Sequence, residues 1–305
     1  MHNDGVTIST HQLFAMFPDE AAAQTYLESR RWPDGPRCPV CESGARVGVH
    51  SAGHYRCYAC REAFTVRTGT VMERSHVPLH KWLYAMYLLV TARKGISSLQ
   101  LSKEIGITQK SAWFLLQRLR EACGQNLNAL RGIVEVDETY VGGIEANKHE
   151  SKRKKLGRGA VGKAPVLGMR ERGGRTVAVA LGDVNTASIH RAVHTHIEAG
   201  STLHTDEHAA YMGLGGLFFR RETVNHSAGE YVRGSVHTNG IESVWAVLKR
   251  GLHGVYHHAS RKHLSRYVNE FAFRLNEGNV RAHTLARLDA MIAASVGKRI
   301  TYEEL

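Results

Sequence analysis

The chain has 305 residues, enough for two or three domains and at least one sizeable core. Forty Lys and Arg face 28 Asp and Glu, so the formal net charge is +12 before any of the 19 histidines is protonated, which favours a polyanionic partner such as nucleic acid. No apolar run approaches the ~20 residues that span a bilayer, and MHNDGVTIST lacks a signal peptide's apolar core, so a cytoplasmic protein without membrane association is expected.

Residues 1–35 contain HQLFAMFPDEAAAQTYLESRRW, which predicts two short amphipathic helices broken at Pro18, with Asp19 as a cap. Residues 36–75 carry four of the five cysteines, Cys38 and Cys41 in one knuckle and Cys57 and Cys60 in the other, spaced C-x2-C-x15-C-x2-C. Four thiolates at that spacing suit a closed tetrahedral zinc site, and paired knuckles fit a reducing compartment better than a disulfide framework. Neither pair lies in a thioredoxin-like pattern, so redox chemistry is the weaker reading. Between the knuckles, RVGVHSAGHYRC predicts a hairpin turning at Ser51, Ala52 and Gly53. A stretch this small buries too little to fold unaided, and structural zinc would supply the difference. Such ribbons contact DNA, RNA or protein.

Residues 76–128 begin with an apolar helix after Pro78, ending near Gly95. SSLQLSKEIGITQKSAWFLLQRLREACG then divides at Gly106 into a helix capped by Ser97 or Ser98 and a second from about Lys110. Helix, short glycine-containing turn, helix is the helix-turn-helix pattern, and its second helix would offer Gln109, Lys110 and Ser111 to base edges. An ordinary three-helix core with no ligand has the same pattern, because it is short and degenerate. Cys123 reads as a small buried residue.

Residues 129–280 open with GIVEVDETYVGG, a strand bounded by glycines that contains Asp137. An acid there is costly unless paired, solvated or metal-bound. NKHESKRKKLGRGA is a basic loop, either a solvated flap or an arm whose Lys152, Arg153, Lys154 and Lys155 contact phosphates. Two strands joined at Gly173 and Gly174 follow, then a helix capped by Asn185, then a fourth strand with Asp206 near its C-terminal end. That order describes a mixed sheet flanked by helices, in which Asp137 and Asp206 meet if the first and fourth strands are neighbours.

The helix HTNGIESVWAVLKR repeats Ile241, Val244, Trp245, Leu248 and Leu252 along one buried stripe, leaving Glu242 and Lys249 two turns apart on the polar side. Asn239 reads as its N-cap, and Asn239 with Glu242 also reads as a capping box with no chemistry. Three carboxylates without histidine or cysteine ligands favour two hard ions, Mg²⁺ or Mn²⁺, while Lys249 and Arg250 would reach phosphate. His253, His257, His258 and His263 have no fixed ligand geometry and read as a basic, DNA-facing surface. Residues 281–305 form a tail, helical to about Ala294.

Thirty-five residues separate Asp206 from Glu242, and Lys249 follows seven after the glutamate. This arrangement resembles the D,D-35-E signature of DDE transposases and retroviral-type integrases. FPDEAAAQTYLESRRWPDGPRCPVC, DETYVGG, HTDEHAAY and HTNGIESVWAVLKRGLHGVYHH resemble blocks of bacterial insertion-sequence transposases with an N-terminal zinc ribbon, relatives of the Merlin elements, over about residues 10–280. The resemblance implies an RNase H-like catalytic fold with two Mg²⁺ ions bound by Asp137, Asp206 and Glu242, and Lys249 as the phosphate-contacting base. It implies double-stranded DNA as substrate, cut at terminal inverted repeats and joined through 3′-hydroxyls to target DNA. Some members use asparagine as the third ligand, which brings Asn239 into consideration, but charge, spacing and the shared stripe with Lys249 favour Glu242. Joining two ends implies a homodimer or larger synaptic complex, associated with the nucleoid in a bacterium. A non-catalytic zinc-ribbon and helix-turn-helix regulator, and an RNase H-like nuclease without strand transfer, are the competing readings.

Overall fold

The computed structural model describes residues 7–124, 129–143, 149–153, 161–216, 219–278 and 280–305. The chain divides into two compact units: Met1–Gln125 with Glu277–Leu305 form unit 1, and Asn126–Asn276 form unit 2.

Unit 1 begins with α1 (Thr10–Met16), closed by a Ser9–Gln12 capping box, and α2 (Glu20–Arg31), whose first turn is held by Asp19 accepting the Ala22 N–H at 2.9 Å. Pro18 lies between them, where the missing N–H costs nothing. The ribbon is an antiparallel sheet ordered β1 (Val47–Ser51), β2 (His54–Cys57), β3 (Ala63–Phe64). Its hairpin turns at Gly53, with φ +71°. The two-residue β3 was not anticipated, because so short a strand has no readable alternation. α3 (Leu79–Thr91) buries Trp82, Leu83, Met86 and Leu89 around its circumference, which its unbroken apolar run dictates. α4 (Ser98–Ile105) is capped by Ser97 and ended by Gly106 at φ +61°; Thr108 then caps α5 (Gln109–Cys123). Only Gly106, Ile107 and Thr108 separate the two helices, and Cys123 is buried.

Unit 2 is built on a five-stranded sheet. β4 (Ile133–Val141), β5 (Ala164–Glu171) and β6 (Thr176–Ala180) form an antiparallel meander; after α6 (Thr186–His196), β7 (Thr202–Thr205) pairs parallel with β4, and β8 (Arg220–Thr223) parallel with β7. The order is thus β6-β5-β4-β7-β8. Asn185 caps α6 through the Ser188 N–H at 2.8 Å, as expected. The fifth strand was not anticipated: Arg220–Thr223 is polar and half-buried on an edge, so it lacks the apolar alternation that marks strands. Alternation along β4 sends Val134 and Val136 into a core beneath α6, with Leu203, Ile189 and Val193. The opposite face is covered by α7 (Asn239–Gly251) and α8 (Leu264–Glu277), which bury Ile241, Val244, Trp245, Val268 and Phe271. Glu135 and Asp137 point to that second face.

The chain then returns to unit 1 as α9 (Thr284–Ser295). Tyr26 Oη donates to Asp289 Oδ1 at 2.6 Å, the Ile8 N–H donates to Thr284 Oγ1 at 3.1 Å, and Arg287 Nη1 reaches the Val90 carbonyl at 3.1 Å. Lys298 Nζ donates to the Ala122 carbonyl at 2.7 Å, satisfying an orphan acceptor at the end of α5. Residues 281–305, expected as a separate tail, therefore complete the core of unit 1. Among the described residues no helix is long and apolar enough to cross a membrane.

The contact of α7 with the sheet depends on Gly168, opposite Asp137 on β5. A Cβ there would lie 2.5 Å from the Trp245 ring and 2.6 Å from Ile241 Cδ1. Gly168→Ala is therefore expected to destabilise unit 2 by about 1–3 kcal/mol, the usual cost of overpacking, as a lower denaturation midpoint in urea.

Candidate active site

Two groups of side chains are candidates for chemistry, one in each unit. In unit 1 the ligand atoms of Cys38, Cys41, Cys57 and Cys60 all lie within 4.8 Å of one another. Cys38 Sγ is 3.6 Å from Cys60 Sγ, and Cys41 Sγ is 3.5 Å from Cys57 Sγ. A tetrahedron of ~2.3 Å Zn–S bonds needs sulfurs about 3.8 Å apart, so the four thiols match a structural zinc ion. The knuckle backbone helps: the N–H of Cys60 holds the Cys57 thiol down to about 7, towards the thiolate that binds metal.

In unit 2, parallel pairing between β4 and β7 sets Ile133 against Thr202, Val134 against Leu203 and Glu135 against His204. The pairing ends there: Asp137 lies two residues further along β4, and Asp206 follows Thr205, the last residue of β7. Asp137 is half-buried, and its Oδ2 accepts a hydrogen bond from Trp245 Nε1 at 2.8 Å. Burial lifts its carboxyl from 3.8 to about 7; the charges of Glu138 and Asp206 push the same way, against the Trp245 bond. Asp206 lies just past the end of β7, where Arg221 on β8 donates from Nε to Thr205 Oγ1 and from Nη2 to the Asp206 carbonyl, both at 3.0 Å. Its Oδ1 accepts the His208 N–H at 3.0 Å, fixing the turn that follows. On the opposite face Glu138 accepts a hydrogen bond from the buried Tyr211 hydroxyl.

Glu242 is exposed in the first turn of α7, with Oε1 accepting from Thr238 Oγ1 at 3.1 Å. It precedes Trp245 by three residues but stays exposed, whereas Trp245 is buried against the sheet. Lys249 and Arg250 are exposed in the last turn. Among the described residues the four cysteines alone form a cluster of three or more potential metal ligands; Asp137, Asp206 and Glu242 are not drawn together to that degree.

The expected Asn239 cap and Asn239–Glu242 capping box are both corrected. Asn239 is exposed within the helix, Thr238 stands before it without a side-chain cap bond, and Glu242 binds the Thr238 hydroxyl rather than a backbone N–H. The Ile241 N–H is taken instead at 2.9 Å by Glu135, a residue of β4. Sequence reasoning missed Glu135 and the bond of Trp245. Both left a trace: Glu135 lies one strand period before Asp137, and a buried indole N–H demands an acceptor.

At the start of α5, Gln109 and Lys110 are exposed and Ser111 is half-buried. Gln109 Nε2 donates to Ser98 Oγ at 2.9 Å, Ser111 Oγ is 2.9 Å from Thr108 Oγ1, and Lys110 Nζ stands 4.8 Å from the centre of the Tyr302 ring. Arg153 is exposed; Lys154, Lys155 and the side chain of Lys152 lie outside the described residues. His253, His257 and His258 are exposed around a π-helical turn, Leu252–Tyr256, that ends α7.

Residues 129–276 match the model of the ISXO2-like transposase domain, and residues 18–63 that of a transposase zinc-ribbon domain. A protein described as uncharacterized, in transposable element ISH50 of Halobacterium salinarum, is 32% identical over 271 residues, covering 85% of this chain and 91% of its own length. Among solved structures, a chain of a simian T-cell lymphotropic virus intasome in complex with PP2A regulatory subunit B56 gamma is similar at 13% identity and TM-score 0.29 over 62% of this chain and 64% of that one. The Mos1 strand transfer complex is similar at 12% identity and TM-score 0.23, over 72% of this chain and 79% of that one. At such TM-scores neither likeness bears on the fold.

Two outcomes follow from the two groups. Purified protein should carry one zinc per chain; Cys57→Ser should lose it and, by amide hydrogen exchange, the protection of β1 and β2. For Asp137 the folded value, about 7, exceeds the ordinary 3.8, so the folded state holds the proton more tightly. Metal-free unit 2 should therefore lose stability as pH rises from about 4 to about 7 and level off above, a slope that Asp137→Asn should flatten in pH-dependent urea denaturation.

Proposed function

The chain belongs to the insertion-sequence transposases with an ISXO2-like domain and an N-terminal zinc ribbon, and from that membership we propose that it cuts DNA at its element's ends and joins the freed 3′ ends to target DNA by Mg²⁺- or Mn²⁺-dependent phosphoryl transfer. What supports the proposal is that β4, which carries Asp137, pairs in parallel with β7, which ends at Thr205 just before Asp206, and that the helix of Glu242 is bonded to Asp137 through Trp245. A mixed sheet with helices on both faces supports the RNase H-like reading of unit 2.

The donor set fits the metal. Asp137, Asp206 and Glu242 offer only oxygen, the preference of hard divalent ions; burial raises the Asp137 carboxyl first, and the charges of Glu138 and Asp206 add to it. Such ions, when bound, activate the attacking oxygen and stabilise the leaving oxygen of a phosphodiester. The chain's own residues supply the frame: β4 and β7 hold two aspartates, α7 presents Glu242, and Trp245 orients Asp137 while shielding one edge of its carboxylate from water. Glu242 keeps its carboxylate in solvent reach, and Lys249, two turns on, extends to a nonbridging phosphate oxygen. Asn239, one turn before Glu242, serves outside the ligand set.

DNA is held by other parts of the chain. In this reading α4 and α5 form a helix-turn-helix whose Gln109, Lys110 and Ser111 meet base edges, while Lys152, Arg153, Lys154, Lys155, Lys249 and Arg250 meet phosphates. The formal charge of +12 favours the same partner. Joining two ends requires two sites in one assembly, so the active species is a dimer or larger.

The decisive comparison is wild type against Asp206→Asn on duplex DNA carrying the element's terminal repeats. Wild type should cleave and form joined products only with Mg²⁺ or Mn²⁺; Asp206→Asn should lose at least about 1,000-fold in rate while binding the same DNA. Equal rates would refute the assignment, and cleavage without joined products would reduce it to a nuclease.

A further inference from the structure

The geometry points to Glu135 as a positioning residue for Glu242, an inference that rests on the reading of Glu242 as the third acid. Glu135 precedes Asp137 by two residues in β4, so both side chains leave the strand towards α7. Its side chain is 3% exposed. Oε2 accepts the Ile241 N–H at 2.9 Å; Oε1 receives Arg172 Nη2 at 3.1 Å and lies 3.4 Å from His237 Nδ1. Arg172 is itself anchored, with Nη1 on the Ser235 carbonyl at 2.8 Å and Nη2 at 3.2 Å from His204 Nδ1.

A carboxylate this deep in the protein is retained only if its oxygens are satisfied, and here a backbone amide and a guanidinium do so. The amide matters most. Ile241 is the third residue of α7, whose N–H an N-cap side chain normally takes, yet the helix makes no such bond of its own. Thr238, which stands at the cap position, gives its hydroxyl to Glu242 instead. Glu135 thus performs from a strand the task of a cap, and its negative charge faces the positive end of the helix dipole. Gly240 permits the approach: a Cβ there would sit 2.6 Å from Glu135 Oε2.

Glu242 is the residue immediately after Ile241. One strand therefore carries Asp137 and, two residues earlier, the group that pins the turn displaying Glu242. β4 itself thus reaches the turn that displays the third acid through a hydrogen bond, across the 104 residues of chain between Asp137 and Glu242.

The test compares Glu135→Ala and Glu135→Gln with Ile189→Ala, a core truncation under α6 on the other face of the sheet. Amide exchange in metal-free protein is read over residues 238–243, and single-turnover DNA cleavage is read against Mn²⁺ concentration well below the melting temperature. Glu135→Ala should speed exchange at least tenfold more than Ile189→Ala over 238–243. It should also slow cleavage about 100-fold and raise the half-saturating Mn²⁺ several-fold, with DNA affinity unchanged. Glu135→Gln, whose amide oxygen still accepts the Ile241 N–H, should recover most of the exchange protection and part of the rate. Should Glu135→Ala fail to fold, Gly240→Ala, which drives the carboxylate off the amide, makes the same comparison. Exchange over 238–243 no faster than in Ile189→Ala, or wild-type Mn²⁺ dependence, overturns the inference. Absence of cleavage by wild type would instead fell the reading of Glu242, leaving exchange to judge Glu135 alone.

Discussion

The 2.8 Å bond between the Trp245 indole and Asp137 is where helix and sheet of unit 2 become one object. Each partner needs the other. An indole N–H buried against a sheet must find an acceptor, and a half-buried carboxylate must find a donor. Rotation of α7 by one residue, about 100°, would lose both. The bond also limits β5: Gly168 lies under the ring because nothing larger fits. β4 is hydrogen-bonded on both sides, to β5 and β7, so the strand bearing Asp137 is held by the ladder as well.

Around that bond the arrangement is graded. Asp137 stands in the middle of the sheet; Asp206 stands beyond a strand end, where Arg221 donates to its carbonyl. Glu242 is exposed on a helix. Asp137 and Asp206 are half-buried, and Glu242 alone of the three is exposed. Glu138 and Tyr211, paired on the far face, keep a further carboxylate occupied next to Asp137.

What the sequence made legible was local. Asp19, Ser97 and Asn185 cap the helices they precede, Gly106 ends α4, and the cysteine spacing delivers four sulfurs to one point. The neighbouring of the first and fourth strands of unit 2 was anticipated only as a condition, which the β4–β7 pairing meets. The misreadings concern partners distant in sequence. Asn239 looked like a cap because composition shows only adjacent residues, whereas the acceptor for Ile241 comes from 106 residues upstream. Trp245 was counted as packing because periodicity registers where a side chain points and not what its N–H meets. β8 was invisible because an edge strand of Arg220, Arg221, Glu222 and Thr223 obeys pairing rather than hydrophobic alternation.

The return of α9 to unit 1 has a consequence in time. Unit 2 is inserted between the two pieces of unit 1, so Ile8, Tyr26 and Val90 wait for Thr284, Asp289 and Arg287. At about 5–20 residues per second, the inserted segment takes roughly 8–30 s to leave the ribosome. During that interval the apolar faces of α2 and α3 await their covering helix, while the sheet of unit 2 is already complete in sequence. The nascent chain therefore carries Asp137, Asp206 and Glu242 before the amino-terminal module can close.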